Sequence, residues 1–393
     1  MAPLPFSLRR IALPAYGPSL LFGLGEGAVL PAIALGAREL GASVPMAALA
    51  VMLIGIGSLL SNIPASMITL RHGERPALVA AALWGALGMA LCAWAGHLGL
   101  FALGCFMIGM AQAVFSLARQ SWLTEAVPVA FRARAMSTLG GVMRIGMFIG
   151  PFIAAAAIHR FGLAGAWAVG IAALLAAALV AARLPELQAG AEATDASAHA
   201  APTLRSTLRD HRHVFVTLGV GVLLVSAVRA TRQAVIPLWA DHLALEASVA
   251  ALIFGLANGV DMLVFYPAGK LMDQKGRLWV VLPCTLIMGL ALLLMPLSQG
   301  ATGLLFAAML LGFGNGIGSG MVMTLGADHS PRIGRAHFLG VWRLMADIGG
   351  SCGPALLSLL AATLSLGAGI AATGLIAFAA AAQLAWWIPR LRR

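Results

Sequence analysis

Apolar residues run through this chain in stretches of 20 or more, broken at short intervals by polar clusters carrying Gly, Pro or Arg. A bilayer core of about 30 Å takes roughly 20 residues of helix to cross. The pattern predicts twelve membrane-spanning helices, at 12–36, 45–69, 77–96, 99–125, 135–158, 162–182, 213–240, 248–271, 278–298, 301–327, 336–361 and 364–388. The separators are short and rich in helix breakers, as in Gly41-Ala-Ser-Val-Pro45 and Ser298-Gln-Gly300. One is long. Residues 184–212 are rich in Ala, Glu, Asp, Ser, His and Arg, with Pro185 and Pro202, and read as a solvated linker. It divides the chain into an N-terminal six-helix half, 1–183, and a C-terminal six-helix half, 213–393.

Composition agrees with lipid as the solvent. Of the 393 residues 61% are hydrophobic and only 10% charged, where a water-exposed globule carries about 25% charge. The segment Met1–Arg10 is short and basic without a small-residue cleavage site, so the first apolar run is expected to be a retained helix. The four cysteines, Cys92, Cys105, Cys284 and Cys352, sit singly in apolar runs, which argues against disulfides and zinc. The pair His211 and His213 reads as the basic flank of span 7, without acidic or Cys ligands beside it for a metal.

The net charge of +11 would suit nucleic acid, but its placement says otherwise. With the N-terminus inside, the outer loops hold only Arg38 and Arg160, and five arginines lie within spans. Every other Lys and Arg falls on the inner side. This asymmetry predicts both termini in the cytoplasm of a bacterial-type inner membrane, with the positive charge facing anionic lipid.

The halves repeat at a constant offset of 203 residues. Pro64 matches Pro267, Gly73 matches Gly276, Gly109 matches Gly312, Glu125 matches Asp328, Pro128 matches Pro331 and Arg132 matches Arg335. Gly150-Pro151 matches Gly353-Pro354 in the same register. Repeats of this kind place a substrate at the midplane between halves.

These residues resemble the major facilitator superfamily over essentially the whole chain. Its loop signature is matched by Gly269, Asp273, Gly276 and Arg277, a conformational latch in which Gly276 permits the turn and Asp273 faces a helix N-terminus or nearby arginines. The equivalent stretch of the first half keeps Arg71 and Gly73, but Leu70 and Ser66 stand where the family has Asp and Gly, which weakens that latch. Span 5 carries Gly146-Met-Phe-Ile-Gly150-Pro151, similar to the motif of the drug:proton antiporter branch, and span 11 repeats it as Gly349, Gly353 and Pro354. Small residues four apart let backbones approach closely, so helix packing alone also asks for them. Cys105 stands where that branch carries an arginine in span 4. The resemblance implies the major facilitator fold, an all-α pair of pseudo-symmetric six-helix bundles, with alternating access as its mechanism.

Ionisable groups deep in a membrane cost several kcal/mol unless they meet a cavity or a partner, so they are the candidate site. They are Glu26, Arg119, Arg144, Arg229, Arg232, Asp261, Arg343 and Asp347. Glu26, in Gly23-Leu-Gly25-Glu26-Gly27, is the candidate proton-coupling group, with Asp261 as the other; Glu26 as a structural partner of Arg229 or Arg232 is the alternative. Arg229 and Arg232 share a helical face and suit an anionic group, unless Glu26 and Asp261 neutralise them internally. Arg343 and Asp347, four apart, are expected to pair with each other more than to touch substrate. Arg119 and Arg144 complete the candidate cavity, with Glu125 or substrate as their possible contacts.

Two transport readings follow. One is proton-coupled efflux of an amphipathic small molecule or drug; the other is transport of a small organic anion, a carboxylate or phosphate ester, on the arginines. The absence of H-E-x-x-H, G-x-S-x-G and P-loop motifs argues against an enzyme, an ATP-driven pump or a cofactor. The expected partners are a small solute, membrane lipid and protons, or sodium held by backbone carbonyls; the protein is expected as a monomer that binds no nucleic acid.

Overall fold

A backbone in hydrocarbon finds no water for its N–H and C=O groups, so each apolar run satisfies them internally as a helix. The computed structural model describes residues 8–127, 129–184, 204–318, 320–331 and 335–391. Among them are twelve helices long and apolar enough to cross a membrane. The N-terminal six are α1 (Leu8–Glu39), α2 (Val44–His72), α3 (Glu74–Ala93), α4 (Leu98–Ala126), α5 (Val129–Phe161) and α6 (Leu163–Ala182). The C-terminal six are α7 (Arg212–His242), α8 (Ala247–Lys275), α9 (Leu278–Leu294), α10 (Gly300–His329), α11 (Arg335–Thr363) and α12 (Leu366–Arg390). All twelve expected spans are present, and the chain is a multi-pass membrane protein.

Three details depart from the expected spans. Most of the linker lies outside the described residues, but Leu204–Asp210 is a short helix, not extended chain. The helix α7 carries a π-helical turn at Phe215–Gly219, where the Thr217 carbonyl accepts from Gln383 Nε2 at 3.1 Å. The helix α10 is two pieces, Gly300–Ile317 and Met321–His329. Gly314, Gly316, Gly318 and Gly320 crowd that junction, and glycine is the residue that least favours continued helix.

The twofold repeat is visible in atomic detail. Gly73 and Gly276 end α2 and α8 with φ of 83° and 96°, a conformation open to glycine. After α1, Gly41 N donates to Arg38 O and Ala42 N to Ala37 O. After α7, Ala244 N donates to Asp241 O and Leu245 N to Ala240 O, each position shifted by 203. A side chain at Gly146 would meet the backbone at Leu20 and Leu24, and one at Gly150 would meet Leu24 and Ala28. Their counterparts Gly349 and Gly353 lie against Leu223 and Ala227, again shifted by 203. The Gly-Pro motif therefore packs α5 on α1 and α11 on α7 in the same way.

Around this axis α1, α2, α5, α7, α8 and α11 meet at the centre. The helices α3 and α6 back the first half, and α9 and α12 back the second. With twelve spans, both ends of the chain lie on one face, here the terminal face. At the far face the halves are joined. Arg38 Nε meets Asp241 Oδ2 at 2.8 Å, and these residues are 203 apart, so the ion pair sits on the pseudo-twofold axis. Ser358 Oγ donates to Pro45 O at 2.8 Å, and Gly255 of α8 lies against Pro151 and Phe152 of α5. Toward the terminal face, Gly140, Gly141 and Gly340 have nothing within 4 Å of where a Cβ would sit. The cleft is sealed at the far face and parts toward the terminal face.

Overpacking an interface of this kind costs about 1–3 kcal/mol. Gly146→Val and Gly353→Val should each lower the melting temperature of the detergent-purified protein, followed by tryptophan fluorescence. Gly350→Ala should leave it unchanged, since a Cβ there meets nothing within 4 Å.

Candidate functional site

Two adjoining cavities of about 380 and 390 Å³ lie between the halves at mid-membrane. Volumes of this size suit small-molecule sites. Met147, Ala230 and Gln233 line both.

The second cavity is built from arginines. Arg119, Arg144, Arg229 and Arg232 line it, together with Asn258, Asp261 and Asn315. Asp261 of α8 is the hub, buried at 8% exposure. Its Oδ1 meets Arg144 Nη1 of α5 at 3.2 Å, which ties the two halves together. Its Oδ2 accepts from Asn315 Nδ2 at 3.0 Å and faces Arg232 Nη2 at 3.9 Å. Asn315 passes the chain on, its Oδ1 accepting from Arg229 Nε at 2.8 Å. Arg229 Nη1 also donates to the Gly318 carbonyl at 3.1 Å. That carbonyl lies at the break in α10, where it also accepts from Met321 N at 3.1 Å. Asn258 Oδ1 accepts from Arg232 Nη2 at 2.9 Å, while its Nδ2 donates to Met147 O at 3.3 Å across the halves. The Arg144 guanidinium stacks 4.6 Å from the Phe265 ring centroid, and Arg232 lies 5.8 Å from that of Phe254. Aromatic faces take part of the place of water around these cations.

These bonds do not exhaust the donors. Arg232 Nη1 and Arg119 Nε are buried without a hydrogen-bond partner among the described residues. An unsatisfied buried donor costs about 1–3 kcal/mol, more when charged. Arg144 and Arg232 share the carboxylate of Asp261, and Arg229 reaches it only through Asn315.

The first cavity is different. Glu26, Arg343 and Asp347 are its charged residues, beside Ser58, Gln112 and Ser116 and an apolar wall that includes Val29, Leu30, Ile33, Val51 and Ile54. Glu26 is 6% exposed, and its carboxylate makes no hydrogen bond or ion pair among the described residues. The cation whose field acts on it is Arg119; neither Arg229 nor Arg232 pairs with it. Asp347 Oδ2 accepts from Asn62 Nδ2 at 3.2 Å across the halves and faces Arg343 Nε at 3.9 Å. Arg343 is the most exposed charge of the group, its side chain 56% accessible.

At the terminal face, Arg277 forks onto Asp328, with Nε to Oδ2 at 2.7 Å and Nη2 to Oδ1 at 3.0 Å. This bidentate bond fastens the α8–α9 turn at Gly276 to the end of α10. The side chain of Asp273 lies outside the described residues, as do those of Arg132 and Arg335. Gly269 has open space around it, and Arg71 is exposed beside Gly73. Glu125 is exposed near Glu74 at the end of α4.

Sequence reasoning left out the amides. Asn62, Asn258 and Asn315 connect the arginines and acids, and Gln112 and Gln233 line the cavities; a search of the apolar runs for Asn and Gln would have found them. It also passed over Arg38 and Asp241, opposite charges at repeat-related positions.

The sequence profile of the Major Facilitator Superfamily matches residues 19–350, and a second match covers 218–393. No curated protein sequence matches the chain. Solved structures share its fold at low identity. A POT family transporter in complex with a thioalcohol-conjugated peptide superposes with a TM-score of 0.79 at 12% identity, over 98% of this chain and 97% of that one. A bacterial homolog of the human lysosomal transporter Spinster, inward-facing and unoccupied, gives 0.75 at 14% identity over 95% of each chain. The xylose transporter of E. coli, partially occluded and inward-open, gives 0.75 at 14% identity over 97% and 98%. A profile match over most of the chain, twelve spans and the shared fold together make this protein a transporter of the major facilitator superfamily.

Proposed function

We propose that the protein carries a small solute with an anionic group, a carboxylate or phosphate ester, by alternating access. The observation that carries this reading is the arginine surplus of the second cavity. Arg144 and Arg232 share the carboxylate of Asp261, Arg229 reaches it only through Asn315, and Arg232 Nη1 and Arg119 Nε are buried without acceptors among the described residues. An anion entering from water supplies those acceptors and offsets the desolvation of the guanidiniums. The moving bodies are residues 1–183 and 213–393, joined by 184–212. The excess of Lys and Arg on the terminal face supports a cytoplasmic location for it, in a bacterial-type inner membrane. The far-face seal then corresponds to an inward-facing state.

Protons are the proposed coupling ion. Glu26 faces the cavity without a local hydrogen-bond partner, so its ionisation responds to whether the cavity holds water, substrate or neither. Asp261 is held by Arg144, Asn315 and, at 3.9 Å, Arg232, whereas Glu26 has no such partner among the described residues.

A second reading, proton-coupled efflux of an amphipathic molecule, is favoured by the apolar wall of the first cavity beside Glu26. The Gly-Pro motif does not add to it, since the motif does the same packing in both halves.

Purified protein should melt at higher temperature with small organic anions than with lipophilic cations. A ligand at about 100 times Kd adds roughly 2.7 kcal/mol to stability. Arg232→Gln should cost at least tenfold in anion affinity, about 1.4 kcal/mol, with cooperative melting retained; undiminished affinity counts against the site. Stabilisation by the cations alone would transfer the assignment to the second reading.

In proteoliposomes, Glu26→Gln should abolish flux driven by a pH gradient while leaving solute exchange at zero gradient. Gradient-driven flux at the unmutated rate removes Glu26 from coupling.

The far-face seal has its own test. In a Cys352→Ser background, Ile33→Cys should label poorly with an impermeant maleimide applied from the far face. Asp241→Ala should raise that labelling and the swap Arg38→Asp with Asp241→Arg should lower it again; indifference to both means the ion pair does not hold the gate.

A further inference from the structure

The cleft has two walls of opposite chemistry, and one stretch of α7 divides them. Arg229 and Arg232 line the second cavity only, whereas Ala230 and Gln233 line both. The second cavity sets four arginines against one carboxylate, Asp261. The first sets two carboxylates, Glu26 and Asp347, against one arginine, Arg343. That arginine is more than half exposed and 3.9 Å from Asp347, so solvent screens much of its charge. Glu26 makes no hydrogen bond or ion pair among the described residues.

The division follows the repeat with its sign reversed. Glu26 corresponds to Arg229 and Arg144 to Asp347 at the offset of 203 residues. Repeat-related positions lie at equal depth, so acid faces base across the cleft in the plane of the membrane. A solute that is only an anion would satisfy the arginines and leave Glu26 and Asp347 facing it. A solute that is only a cation would meet the arginine surplus.

We infer that the occupant is an ampholyte: one small molecule whose carboxylate or phosphate sits on Arg232, Arg229 and Arg144, and whose ammonium or other cationic donor sits against Asp347 and Glu26. This rests on the anion reading and adds the second charge to it. Protons and the cationic end of the solute then compete for the same carboxylates, which ties coupling to occupancy.

The test uses full-length detergent-purified protein and thermal unfolding. The probes are ω-amino carboxylates and ω-aminoalkyl phosphates with two to eight methylenes, with their N-acetyl derivatives, which lack the cation, and the carboxylate methyl esters, which lack the anion. For at least one length the parent should stabilise, and its N-acetyl derivative should bind at least tenfold more weakly. In Asp347→Asn the parent should fall to the level of the N-acetyl derivative, and in Arg232→Gln both should be lost. Glu26→Gln supplies the same comparison if Asp347→Asn does not melt cooperatively. Equal binding of parent and N-acetyl derivative, still lost in Arg232→Gln, overturns the ampholyte and leaves the anion reading standing. Binding of methyl esters in preference to free acids overturns both, and stabilisation by no member of either series overturns the ampholyte.

Discussion

Apolar side chains gain nothing by leaving lipid for one another, so helices in a membrane are held by close backbone contact and a few polar bonds. In this protein the contact is made by glycine. Gly146 and Gly150 bring α5 onto α1, and Gly349 and Gly353 bring α11 onto α7. Gly109 and Gly312 do the same for α4 on α2 and α10 on α8, against Ile54 and Ala257. A carbonyl lies where each Cβ would be, so these helices cannot separate or rotate without losing the interface. These contacts lie within each half, and a different surface lies between the halves.

That surface is where the ionisable groups collect. Among the described residues the polar bonds that cross it are few: Arg38 to Asp241, Arg144 to Asp261, Asn62 to Asp347, Asn258 to the Met147 carbonyl and Ser358 to the Pro45 carbonyl. Such bonds are directional and can be exchanged for water or for a ligand, as large apolar contacts cannot. An ion pair in low dielectric gains little over its desolvation cost, which suits contacts that must open and close in turn. The Arg144–Asp261 pair joins the halves inside the cavity itself, so an anion that draws Arg144 away from Asp261 loosens one of the ties between them.

The two copies have kept their packing and, at three pairs of positions, inverted their charge. At Gly73 and Gly276, or Gly150 and Gly353, the repeat retains the residue because the backbone geometry requires it. At 26 and 229, 38 and 241, and 144 and 347 it places opposite charges. The pair at 38 and 241 shows what inversion achieves: two positions that meet on the axis would repel if identical, and opposite signs make them a seal.

The twelve spans, the two halves and the charges within the spans were legible in the residues alone; that Arg343 is more than half exposed was not. Hydrophobic runs must cross the bilayer as helices, a conserved offset reports itself in Gly and Pro, and a charge inside an apolar run is conspicuous. Who pairs with whom was not legible. Glu26 stood as a possible partner of Arg229 or Arg232, yet the fold leaves it facing the cavity near Arg119 while Asn315 and the Gly318 carbonyl take Arg229. Asn258 and Asn315, which the charges drew no attention to, are the bridges of the arginine network. The break in α10 was hidden because glycine is common in membrane helices, and only the packed structure shows that the Gly318 carbonyl there accepts from both Met321 N and Arg229. Spans and signs are set by local hydropathy and repeat register, which one dimension records. Partners depend on rotation about each helix axis and on the depth at which helices from different halves meet, and those exist only once the two bundles have packed.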